Sequence, residues 1–136
     1  MRIIGLGVDL ADIERVEAVY RKYPRFIERC FTPHEQEYAL RFANPARRLA
    51  ARFAGKEAVM KSMGVGWRRI RWTDIEITGG GAPKVRLSGN AARRAEMLGV
   101  TDVLVTITHT DTSALVMAVA VAEHEPIGQL PEEHRA

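Results

Sequence analysis

Between Asn44 and Gly64 the chain has little choice but to form one long helix. Asn44 followed by Pro45 offers a side-chain cap and then a residue whose φ is already helical. The alanine-rich segment that follows runs to Gly64, a residue suited to the left-handed turn that closes a helix. A helix of that length needs partners, and the flanking segments supply them. Residues 2–8 alternate around Ile3, Ile4, Leu6 and Val8 and predict a first strand ending near Asp9. Asp12 then caps a helix whose apolar stripe is Ile13, Val16, Val19 and Tyr20, and which Pro24 breaks or restarts. Thr32-Pro33-His34-Glu35 combines a capping threonine, proline at the first helical position and glutamate at the third, predicting a helix through Leu40.

The second half changes character. Residues 74–78 and 84–87 read as short strands joined by Gly79-Gly80-Gly81-Ala82-Pro83, and 90–98 as a short helix closed by Gly99. Residues 103–110 and 113–123 are apolar and β-branched and predict an antiparallel hairpin around Asp111-Thr112. Helices first and strands later, without regular alternation, point to an α+β fold with helices packed on an antiparallel sheet. With 136 residues and 46% hydrophobic content there is one core, so 1–123 is expected to be a single domain. The last fourteen residues set Glu123, Glu125, Glu132 and Glu133 against Arg135 and carry Pro126, Gly128 and Pro131, so 124–136 read as a frayed acidic tail.

No apolar run approaches the roughly 20 residues that span a bilayer, and the start has too short an apolar stretch for a signal peptide. The chain therefore reads as cytoplasmic, without a membrane partner. The lone Cys30 excludes an internal disulfide and any multi-cysteine metal site, and with no HExxH pattern a bound metal would be held by oxygen.

Charge is concentrated. Between Arg41 and Arg71 stand nine cations against the single acid Glu57, which implies a polyanionic partner. Nucleic acid is disfavoured, because there is no recognisable binding motif and the few aromatics form no stacking platform. On a helical wheel Leu49, Phe53 and Met60 share a face, with Glu57 at its edge. Two readings of Glu57 stand side by side. It is half of an i,i+4 pair with Lys61, or it is a hard oxygen ligand at a cleft edge, flanked by Lys56 and Lys61 to receive phosphates. Asp9 is likewise a helix cap or, if Asp12 takes the cap, a free carboxylate. Gly5-Leu6-Gly7 does not open a dinucleotide site, since Leu10 stands where the third glycine belongs. His109, near the end of an apolar strand, is a structural residue or a catalytic one.

Gly7-Val8-Asp9-Leu10-Ala11-Asp12-Ile13-Glu14-Arg15 resembles the amino-terminal signature of the holo-acyl-carrier-protein synthases. Arg52-Phe53-Ala54-Gly55-Lys56-Glu57-Ala58-Val59-Met60-Lys61 resembles their Phe-x-x-Lys-Glu-Ala-x-x-Lys signature. Phe31-Thr32-Pro33, Gly81-Ala82-Pro83 and the Thr106 to Thr110 block match further landmarks, so the resemblance covers roughly 1–123. Thr106 and Thr108 stand where the family usually has serines, and Gly55 where it usually has an alanine-like residue. The resemblance implies a magnesium-dependent transferase moving 4′-phosphopantetheine from coenzyme A to a serine of apo acyl carrier protein. It implies that Asp9 and Glu57 hold the magnesium, and that Glu57, Asp9, Lys61 and His109 are catalytic. It further implies that Arg52, Lys61 and His109 meet coenzyme A phosphates, and that Arg15, Arg21 and Arg25 face the carrier protein. Finally, it implies a homotrimer with active sites between subunits.

Overall fold

The computed structural model describes residues 1–79 and 81–123; the expected tail, 124–136, lies outside the described residues. Strand β1 (Arg2–Asp12) leads directly into helix α1 (Ile13–Lys22). The strand extends past Asp9, where the sequence suggested it would end, because its neighbour keeps pairing with it as far as Asp12 opposite Ser113. Asp12 is thus both the last strand residue and the helix cap, its Oδ1 accepting from the Arg15 backbone N–H at 3.0 Å. Pro24 separates α1 from α2 (Arg25–Cys30) as expected. Helix α3 (Pro33–Leu40) carries the full capping box, Thr32 to the Glu35 N–H and Glu35 back to the Thr32 N–H. Helix α4 (Pro45–Ser62) starts at the Asn44 cap and ends before Gly64, whose φ is 66°.

After a 3-10 turn at Trp72–Asp74 come β2 (Ile75–Thr78) and β3 (Lys84–Leu87), then α5 (Gly89–Leu98) and the hairpin β4 (Asp102–His109) and β5 (Ser113–Ala122). β2 and β3 form their own antiparallel pair; the main sheet has the order β1-β5-β4, antiparallel throughout. The α+β expectation holds. No helix among the described residues is long and apolar enough to cross a membrane.

Helix α4 packs across one face of the main sheet, and the strands are shaped for it. A Cβ on Gly5 would collide with the Ser62 carbonyl, and one on Gly7 with that of Ala58. The two glycines let a helix backbone come against a strand backbone, which is the structural reason for a pair that only superficially looked like a nucleotide fingerprint. On β5 the buried side chains facing inward are Ala114, Val116, Ala118 and Ala120, matched by Ala50, Ala54 and Ala58 of α4. The far side of α4 is covered as well, by α1, α3 and β2. The helix is therefore buried almost all round, rather than along the one stripe suggested by the wheel.

Candidate active site

β1 alternates, so with Leu6, Val8 and Leu10 exposed on the outer face, Gly7, Asp9 and Ala11 turn toward α4. Asp9 meets the last two turns of that helix there, at Glu57 and Lys61. Asp9 and Glu57 line one cavity of about 610 Å³, with Arg15, Val16, Phe26 and Phe53 among its walls. Phe26 and Phe53 stand on the apolar side of this cavity with ring centroids 5.7 Å apart, and Phe53 is backed by Trp72, its ring centroid 4.6 Å away.

The structure closes the ion-pair reading of Glu57. Lys61 does not pair with it. The Lys61 Nζ donates to Asp9 Oδ1 and to the Val8 carbonyl, each at 3.0 Å, and among the described residues Glu57 makes no ion pair. Burial first, and then the neighbouring Asp9 carboxylate, raise the Glu57 pKa above its usual value, with Lys61 pulling the other way. Two carboxylates at one cavity wall, one raised by the other, form a donor set whose repulsion a hard, oxygen-seeking divalent cation relieves. The cap reading of Asp9 is likewise closed, since Asp12 fills that role.

Lys56 contradicts the expectation that it flanks Glu57 to receive phosphates. It is fully buried and its Nζ lies 2.7 Å from Glu35 Oε1, so an incoming phosphate cannot reach it. Of the three arginines assigned to a partner, only Arg15 lines the carboxylate cavity; Arg21 pairs with Glu17 at 2.7 Å, and Arg25 stands exposed at the start of α2.

Arg52 and His109 lie elsewhere on the chain, in a second cavity of about 270 Å³ that also holds Arg47, Arg48 and Tyr38. Arg52 is only 4% exposed. Its guanidinium sits 4.3 Å over the Tyr38 ring and donates to the Gly79 carbonyl at 3.1 Å. Burial is the main influence on its pKa and pulls it down from the usual arginine value. The Nε atoms of Arg52 and Arg47 are both buried without an acceptor among the described residues. Buried donors of that kind are costly unless something accepts from them, and this cavity therefore suits an anion. Arg47 and Arg48 were visible in the sequence only as part of the basic run. The signal that singles out Arg48 is its i,i+4 spacing from Arg52, which puts both on one helix face.

A model of the 4′-phosphopantetheinyl transferase superfamily matches residues 5–119. The holo-[acyl-carrier-protein] synthase of Solibacter usitatus is 47% identical over 126 residues, covering 90% of this chain and 99% of that protein. A Plasmodium yoelii acyl carrier protein synthase solved with ADP bound superposes with a TM-score of 0.83 at 29% identity, covering 90% of this chain and 98% of the other. The Helicobacter pylori holo-[acyl-carrier-protein] synthase, solved in complex with coenzyme A, gives a TM-score of 0.73 at 27% identity, covering 85% and 99%.

Proposed function

The chain belongs to the holo-[acyl-carrier-protein] synthases of the 4′-phosphopantetheinyl transferase superfamily, and we propose that its Asp9–Glu57 pair is the centre at which 4′-phosphopantetheine passes from coenzyme A to apo acyl carrier protein. The observation that carries this reading is the meeting of those two carboxylates on β1 and α4, with Lys61 turned onto Asp9 and Glu57 without an ion pair among the described residues.

The serine hydroxyl of the carrier attacks the phosphorus next to the pantetheine arm. The P–O bond to the nucleotide breaks, adenosine 3′,5′-bisphosphate leaves, and the serine becomes a phosphodiester. Asp9 and Glu57 would hold magnesium, which when bound supplies charge neutralisation on the diphosphate. Lys61, fixed by Asp9 and the Val8 carbonyl, keeps a cation beside that phosphate. Glu57 takes the serine proton by way of a water. The apolar wall of Phe26 and Phe53 limits competing hydrolysis.

Arg52 and His109, with Arg47 and Arg48, receive the remaining coenzyme A phosphates; the Nε atoms of Arg47 and Arg52, buried without an acceptor among the described residues, support that role. Within one chain these residues line a different cavity from the carboxylates. A homotrimer with active sites between neighbours would join the two halves. The main sheet favours such an assembly: its small side chains face α4, and its large ones, Leu6, Val8, Leu10, Leu115 and Met117, stand exposed on the other face. Arg15 and Arg21 of α1 and Arg25 at the start of α2 present cations to the acidic carrier, and we place the reaction in the cytoplasm, where the lone free Cys30 suits a reducing compartment.

Mass spectrometry of an apo carrier protein incubated with this chain, coenzyme A and magnesium tests the reading. A carrier heavier by one phosphopantetheine is expected, and an unchanged carrier would contradict it. The carrier contact has its own readout: Arg15→Glu is expected to raise the KM for carrier protein much more than that for coenzyme A, in a salt-dependent way.

A further inference from the structure

The most deeply buried charges among the described residues lie one residue away from the carboxylate site, and the chemistry just described does not use them. The Lys56 and Glu35 side chains are both fully buried, and their charged atoms are 2.7 Å apart. All three Lys56 donors are engaged, and both Glu35 oxygens accept. Lys56 Nζ donates to Glu35 Oε1, to the Trp72 carbonyl at 3.0 Å and to the Ile75 carbonyl. Glu35 Oε1 also accepts from the Thr32 N–H at 2.9 Å, and Oε2 from the Ile77 N–H at 2.9 Å.

Stability alone is a weak reason for such an arrangement, because a buried ion pair gains little over well-packed apolar side chains of the same size. What it adds is direction. The pair joins α3, α4, the turn before β2, and β2 itself at one point. Gly55, next to Lys56, has no Cβ where the Ile77 side chain presses against the helix, and so β2 comes close enough for Lys56 to reach its backbone. On α4 the next residue is Glu57, and one turn earlier stands Arg52, which donates to the carbonyl of Gly79 just beyond β2.

We propose that Glu35 and Lys56 are positioning residues: their buried pair sets the rotation of α4 against β2 and thereby aims Glu57 at Asp9 and Arg52 at the Gly79 loop. The inference rests on the reading of Asp9 and Glu57 as cation ligands, and its test keeps the two apart.

The test compares wild type, Glu57→Gln, and the double variant Glu35→Gln/Lys56→Met, which exchanges the pair for neutral side chains of similar size. Each is followed by thermal unfolding, by Mn²⁺ binding read from the EPR signal of the free ion, and by turnover. The double variant is expected to unfold cooperatively close to the wild-type temperature, yet to bind Mn²⁺ about 10–100-fold more weakly, the loss typical when the support of a metal ligand is removed. Its kcat should fall with it. A folded double variant with wild-type Mn²⁺ affinity and kcat overturns the inference while leaving the carboxylate site standing. If wild type itself binds no more Mn²⁺ than Glu57→Gln, the carboxylate reading fails and takes this inference with it. Should the double variant not fold, Glu35→Gln alone, which keeps one acceptor for Thr32 and Lys56, decides on the same measurements.

Discussion

Glu57 carries a testable cost. Its pKa in the folded protein lies above the usual 4.5, so in the window just above that value the folded chain holds a proton that the unfolded chain has lost. Stability contributed at this position is therefore lost as pH rises through the window, and the charged form at neutral pH is a burden that a divalent cation relieves. We expect magnesium to raise the unfolding temperature of wild type at pH 8 and to do so much less near pH 5. Glu57→Gln without magnesium should match or exceed wild type at pH 8. Circular dichroism melts at the two pH values check this; a magnesium effect equal at both would contradict it. Asp9, Glu57 and Lys61 were legible in the sequence as residue types at motif spacing, but their pairing was not. A helical wheel joins Lys61 to Glu57, whereas β1, more than fifty residues earlier in the chain, takes Lys61 instead. Lys56 was misread for the same reason, since the strand that buries it arrives nineteen residues later.

Among the elements, α4 and β1 set the site because their backbones nearly touch at Gly5 and Gly7. Gly7→Ala should therefore cost about 1–3 kcal/mol or more through overpacking against the Ala58 carbonyl. Urea unfolding measures it, and an unchanged midpoint would show that the helix can move away. Gly55 is a subtler case. Helix propensity favours alanine there by about 1 kcal/mol, but the added methyl would meet the fully buried Ile77 side chain. We expect Gly55→Ala to destabilise and Ile77→Val to recover part of the loss in the double variant, a coupling read from a double-mutant cycle. Caps and turns made most of the helices and hairpins readable beforehand: Asp12, Thr32-Glu35, Asn44 and Gly99 all act as their types suggest. The end of β1 was not readable, because it depends on how far β5 runs beside it.

For the whole molecule, the unusual feature is a sheet with alanines inside and large side chains outside. Residues 114–122 are apolar on both faces, so no alternation of polarity could reveal which side meets α4; side-chain size decides, and only the packed structure shows it. Cross-strand rows bring Val8, Met117 and Thr106 together, and Leu10, Leu115 and Thr108. If that face joins subunits, Met117→Lys should shift the protein toward monomer in analytical ultracentrifugation and abolish transfer, since the arginine cavity and the carboxylate pair would no longer face each other. A monomeric variant with full turnover would contradict the shared site. The central claim, that Asp9 and Glu57 together form the reaction centre, is tested most directly by following turnover against magnesium concentration for wild type and Glu57→Gln, with thermal unfolding to confirm that both are folded. Glu57→Gln keeps the shape and the hydrogen-bonding capacity and removes only the charge that holds a hard cation. The account predicts a folded protein with transfer lost at limiting magnesium. Wild-type turnover of Glu57→Gln under those conditions would contradict it.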